Sequence, residues 1–77
     1  MEVQEALQQI QEDHPHIQTQ SALADLVGLS GPMINTYLKG ISRPNLTNAA
    51  RIWGRFNLQC EPFTEEALQK EWEILNK

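Results

Sequence analysis

The sequence predicts an all-α protein, a compact domain of five helices, and three observations lead to this fold class. Apolar residues recur at helical spacing in five separate stretches. Residues whose side chains suit an N-cap precede several of these stretches. Glycine, asparagine or proline stands where the stretches end. Since 77 residues leave room for only one such unit, we expect a single domain over residues 1–77.

The first helix is predicted over about Glu2–Asp13, ending where Pro15 restricts the residue before it. Its apolar stripe at i, i+3, i+4 and i+7 comprises Val3, Ala6, Leu7 and Ile10. His14 and His16 flank the proline and have no third ligand at a useful spacing. We interpret them as residues of a solvated loop, and predict no metal and no cofactor.

Two short helices joined by a tight turn are predicted between residues 20 and 39. Thr19 caps the first, and Gly28 stops it, because glycine adopts the left-handed conformation at little cost. Ser30 caps the second helix, and Pro32 stands in its first turn, where a missing N–H costs nothing. Ile41, in the loop that follows, is expected to tuck into the core.

The fourth helix is predicted from Asn45 or Leu46 to Phe56. Trp53 falls on its apolar stripe, which favours a core position over a base-stacking platform. Gly54 costs about 1 kcal/mol relative to alanine in a helix, which indicates a close approach of another helix there.

Thr64 is predicted to cap a fifth helix whose apolar face we expect to pack on the first helix. Part of that face is a candidate homodimer contact, formed by Trp72, Ile74 and Leu75. Cys60 has neither a histidine partner nor a second cysteine, so we interpret it as a small, partly buried apolar residue.

A family resemblance rests on the residues Gln20, Leu23-Ala24, Gly28, Ser30, Ile34, Gly40 and Pro44. This pattern resembles the Cro and phage-repressor type of helix-turn-helix, the lambda repressor-like DNA-binding domains. The resemblance continues through Gly40-Ile41 and Asn48-Ala49-Ala50 and covers roughly residues 17 to 58. In that family the second helix of the motif lies in the DNA major groove and its first residues meet base edges.

The resemblance implies a set of DNA contacts: Gln20, Ser30, Gly31, Pro32, Met33, Asn35, Thr36, Lys39 and Arg43. In the family an amide at the position of Gln20 holds a phosphate, and Lys39 also suits a phosphate. The family commonly has Gln, Arg or Ser where Gly31 and Pro32 stand, and neither residue can make side-chain hydrogen bonds to bases. Few direct contacts to base edges are therefore expected. Pro32 and Met33 can touch a thymine methyl group, and Asn35 can form hydrogen bonds to adenine.

The net charge of −4 is the main argument against nucleic-acid binding, but its distribution is uneven. Residues 1–25 carry five acids and no Lys or Arg, and residues 61–77 carry five acids and two lysines. Residues 26–60 carry no acid and four bases: Lys39, Arg43, Arg51 and Arg55. These bases lie where phosphate contacts are needed. The alternative interpretation is an ordinary mixed-charge helical surface.

Two functions of different classes follow. The first is a sequence-specific DNA-binding transcriptional regulator that binds double-stranded DNA, as a dimer on half-sites about one helical turn apart. The alternative is a protein-interaction module on the same fold, an adaptor or antitoxin-like protein that uses its acidic surface. No phosphate loop or catalytic triad pattern occurs, so an enzyme is not expected. The single cysteine and the absence of a signal-peptide or membrane-span pattern predict a cytoplasmic protein.

Overall fold

Five α-helices form in the computed structural model, which describes residues 1–17 and 19–77, and those residues contain no β-strand. The helices are α1 Val3–Asp13, α2 Gln20–Val27, α3 Gly31–Leu38, α4 Leu46–Phe56 and α5 Glu65–Leu75. The all-α prediction is confirmed, and the helix boundaries that the sequence predicted agree within one residue: α3, for example, ends at Leu38, and Lys39 is its C-cap. None of the helices formed by the described residues has the length and apolar character needed to cross a membrane.

Side-chain oxygens fix where four of the helices begin. Each accepts a hydrogen bond from the backbone N–H three residues further on, at 2.9–3.3 Å, and the residues are Thr19, Ser30, Asn45 and Thr64. The bond satisfies one of the N–H groups that the first turn leaves without a partner. Three of these caps were predicted by residue type and position.

The end of α2 reverses the chain within three residues. Gly28 has a φ of 74°, the left-handed conformation, and both its N–H and that of Leu29 bond to the carbonyl of Ala24 at 2.9 and 3.0 Å. Leu29 packs against the core from the turn. The next helix therefore begins at a fixed distance and direction from α2.

The core draws on every helix and consists of Val3, Ala6, Leu7, Ile10, Ile17, Leu23, Ala24, Val27, Ile34, Tyr37, Ala49, Ala50, Ile52, Cys60 and Leu68. No charged or polar residue of the described chain is buried. The expectation that α5 packs on α1 is wrong, because α5 lies mainly against α4 while α1 packs on α3. Helix amphipathicity reveals which face is buried but not which neighbour covers it.

The contact between α4 and α5 centres on Gly54, as predicted from the cost of a helical glycine. The indole of Trp72 lies directly over Gly54, where a β-carbon would overlap the ring. The guanidinium of Arg55 lies 6.0 Å from the centre of the same ring, and the Thr47 hydroxyl donates to Glu71 at 2.7 Å. Trp53 is partly buried against the core, in agreement with its predicted core position.

The prediction that Ile41 tucks into the core is wrong, since its side chain is 70% exposed. Gly40, with a φ of 73°, follows the C-cap Lys39, and the N–H of Ile41 bonds to the carbonyl of Thr36 at 3.0 Å. This hydrogen-bonded turn holds the backbone of Ile41 at the surface. Pro44 of the same loop is buried instead.

Candidate nucleic-acid interface

The helices α2 and α3 present their N-terminal halves on one face. Only Gly28, Leu29 and Ser30 separate them. The amide of Gln20, the first residue of α2, donates from Nε2 to Oδ1 of Asn35 in α3 at 2.8 Å. Because this bond joins side chains 15 positions apart in sequence, it fixes the spacing of the two helices on their exposed side.

Five of the predicted contact residues line one open groove of about 620 Å³: Gln20, Ser30, Gly31, Pro32 and Asn35. Ser21, Ala24, Asp25 and Leu29 complete its lining, and sequence reasoning did not single these four out as site residues. Asp25 is exposed there and contributes a carboxylate. The groove is therefore polar, with hydrogen-bonding side chains on its rim and an acid rather than a base in its wall.

Met33, Thr36, Lys39 and Arg43 lie outside this groove lining. The Thr36 hydroxyl donates to the backbone carbonyl of Met33 at 2.8 Å and accepts from the hydroxyl of Ser42 at 3.1 Å. Its single proton is thus already used within the protein, which leaves acceptor capacity only. Ser42 adds a second exposed hydroxyl beside the end of α3, and no sequence signal had marked it.

Asn48 of α4 bonds to two side chains of α3, the exposed Met33 and the buried Tyr37. Asn48 donates from Nδ2 to Sδ of Met33 and to Oη of Tyr37, each at 3.0 Å. Its own backbone N–H is held by the N-cap Asn45 at 2.9 Å. In the sequence Asn48 is notable only as part of the family resemblance, because the spacing between two helices is not visible in the order of residues.

The positive charges of the central stretch are unequally available. Arg43 donates from Nη2 to the carboxylate of Glu2 at 2.8 Å, and Arg55 lies over the Trp72 ring. Lys39 is exposed, Arg51 is partly buried beside Gly28, and within the described residues neither is in an ion pair. Lys39 is therefore the predicted phosphate contact whose charge is most accessible.

His14 and His16 lie in the loop that follows α1. The His14 ring is 5.8 Å from that of Phe56 and 5.9 Å from that of His16, measured between ring centres. His16 is exposed as expected, whereas His14 is half-buried against Phe56. No group of three or more potential metal-binding side chains occurs among the described residues.

Cys60 is fully buried rather than partly buried, and burial raises the pKa of its thiol to about 11. Desolvation is the main cause, because the interior disfavours the thiolate. Since the thiolate is the reactive form, this cysteine is suited to packing rather than to nucleophilic chemistry.

Of the three candidate dimer residues, two already have partners within the chain. Trp72 and Leu75 pack against the core, and Ile74 alone is strongly exposed, at 61%. Dimerisation through α5 therefore stays a prediction that involves at most a small apolar surface. Exposed acids, by contrast, occur on the outer faces of both α1 and α5: Glu5, Glu12, Asp13, Glu65, Glu66 and Glu73.

Comparison with known proteins adds no family assignment. No protein-family model matches this sequence, and neither the curated proteins nor the solved structures give a significant match. The functional inference therefore rests on the residues and the geometry of this chain.

Proposed function

We propose that this protein binds double-stranded DNA as a lambda repressor-like helix-turn-helix regulator, with the first turns of α3 in the major groove. The observation that carries the proposal is the α2–α3 unit: two capped helices, a three-residue turn, and an exposed N-terminal end on the second. A helix is narrow enough to enter the major groove, and a short turn holds the preceding helix across the backbone.

Phosphate contacts would come from the rim of this unit. Lys39 is exposed at the end of α3 and lacks an ion-pair partner in the described chain. Gln20 uses one amide hydrogen on Asn35 and keeps the second for a phosphate oxygen. Arg43 reaches a phosphate only after it releases Glu2. Two or three such contacts give weak, salt-sensitive binding.

Base contacts would be mostly apolar. Gly31 and Pro32 lack side-chain donors and acceptors, and the Thr36 hydroxyl proton is already bonded. Asn35 retains its two amide hydrogens, since it only accepts in its bond with Gln20. Sequence preference would then depend on Asn35, on contacts with thymine methyl groups, and on DNA shape.

The test is fluorescence anisotropy of labelled duplex DNA at about 50 mM and about 200 mM salt, where neutralising two phosphates lowers affinity roughly tenfold. Lys39→Glu should weaken binding to all sequences. It should also reduce the slope of log affinity against log salt by about one, the contribution of one phosphate contact. The matched control is Lys70→Glu on α5, where the ammonium group already lies 3.5 Å from Glu66. Equal effects of the two charge reversals would place the DNA elsewhere.

A second candidate function is protein interaction through the acidic outer faces of α1 and α5. The ion pair of Arg43 with Glu2 favours it, because it neutralises a base that DNA binding needs. This function predicts no binding to duplex DNA at micromolar protein and low salt. It also predicts that charge reversal at Lys39 is without effect on partner binding, whereas reversal of Glu65 and Glu66 abolishes it.

A further inference from the structure

The side chain of Asn48 connects α4 to two residues of α3, one exposed and one buried. Its amide nitrogen carries two hydrogens, and two acceptors lie at 3.0 Å from it: the thioether sulfur of Met33 and the hydroxyl oxygen of Tyr37. Ala49 and Ala50, the next two residues of α4, are completely buried and prevent rotation of that helix. The position of Asn48 is thus fixed by its own helix, and its side chain bonds to Met33 and Tyr37, which lie one turn apart on α3.

The two acceptors differ in how much they need this support. Tyr37 is 4% exposed and is fixed by core packing. Met33 is 36% exposed in the first turn of α3, and its unbranched side chain rotates freely where nothing contacts it. A hydrogen bond to Sδ, although weak, restrains the sulfur and leaves the terminal methyl group beyond it without a hydrogen-bonding role of its own.

We propose, on the basis of the DNA-binding function above, that Asn48 is a positioning residue that directs the methyl group of Met33 to the C5-methyl group of thymine. The neighbours of Met33 in the first turn, Gly31 and Pro32, offer no hydrogen bonds that would compete in setting base preference. The thymine methyl is the apolar group on the major-groove edges of the bases. A methionine held at its sulfur recognises that group with little loss of conformational entropy.

Deoxyuridine provides the direct test, because it pairs as thymine does and lacks only the methyl group. Affinity is measured for a short duplex of A·T pairs and for the same duplex with deoxyuridine in place of thymine. The wild-type protein should prefer thymine by about fourfold for each contacted methyl, as expected for burying one methyl group. Met33→Ala should bring the ratio close to one.

Asn48→Ala should also reduce the ratio, whereas Tyr37→Phe should preserve it, since Asn48 keeps its bond to Met33 in that variant. The ratio separates positioning from a folding defect, because a misfolded fraction lowers the affinity for both duplexes equally. A wild-type ratio of one with salt-dependent binding would overturn the positioning proposal and leave DNA binding intact. An unchanged ratio in Asn48→Ala would overturn it too, and no binding to either duplex would overturn both proposals.

Discussion

Because α4 and α5 are in close contact, Gly54→Ala should destabilise the protein, whereas this change usually stabilises a helix. In an exposed helix the change from glycine to alanine stabilises by about 1 kcal/mol. Here the new β-carbon would overlap the six-membered part of the Trp72 indole. A rigid ring cannot yield as a flexible side chain does, so the indole or the whole of α5 must move.

The magnitude follows from three terms. Overpacking costs about 1–3 kcal/mol, and a displaced Trp72 also loses its contact with Arg55, about 0.5–1 kcal/mol. Helix propensity offsets about 1 kcal/mol. The net expectation is a loss of roughly 0.5–3 kcal/mol from the roughly 4–12 kcal/mol typical of 77 residues. A loss near 2 kcal/mol lowers the Tm by about 8–16 °C.

Urea denaturation followed by circular dichroism measures this effect, with two controls. Gly31→Ala places the same methyl group at the first residue of α3, where nothing outside its chain neighbours and its own helix lies within 4 Å, and should not destabilise; helix propensity can raise stability by up to about 1 kcal/mol. In a Trp72→Ala background the overlap is absent, and Gly54→Ala should then stabilise. A single Gly54→Ala variant as stable as the wild type would refute the reasoning.

Two further predictions concern charge. Burial raises the pKa of Cys60 to about 11, above the value of 9.0 for a free thiol, so the unfolded chain loses this proton first. The free energy of unfolding should therefore fall between about pH 9 and 11, by on the order of 1–2 kcal/mol; denaturation across this range should show a smaller fall for Cys60→Ala. Glu2→Gln frees Arg43 and should raise DNA affinity and its salt dependence more than Glu5→Gln does. Glu5 lies in the first turn of α1, is exposed, and has no cation partner in the described chain. Anisotropy titrations of both variants give the comparison, and equal gains would mean that Arg43 does not meet phosphate.

The local features of this chain were predictable because their causes lie within a few residues. Thr19, Ser30 and Thr64 cap helices since their hydroxyls reach a backbone N–H only three positions away. Gly28 ends α2 through its own backbone conformation. Even Gly54 was informative, because a glycine in a helix interior has a cost that a close neighbour explains.

The candidate site was predictable as a set of exposed positions but not as a working surface. The groove brings Gln20, Ser30 and Asn35 together as the two-helix unit predicts. The partner that each group has within the protein was not predictable. The amide of Gln20 is hydrogen-bonded to Asn35, and Arg43 is bonded to Glu2, which is 41 positions away. Such pairs depend on the meeting of distant segments.

The sequence by itself therefore determined the helices, their ends and their buried faces, because hydrophobic period and capping act over one or two turns. Only the tertiary structure decided that α5 packs on α4, that Pro44 rather than Ile41 is buried, and that Asn48 reaches Met33. The physical reason is that an amphipathic helix fits against several neighbours at similar local cost. The choice among them is made by close packing over the whole molecule.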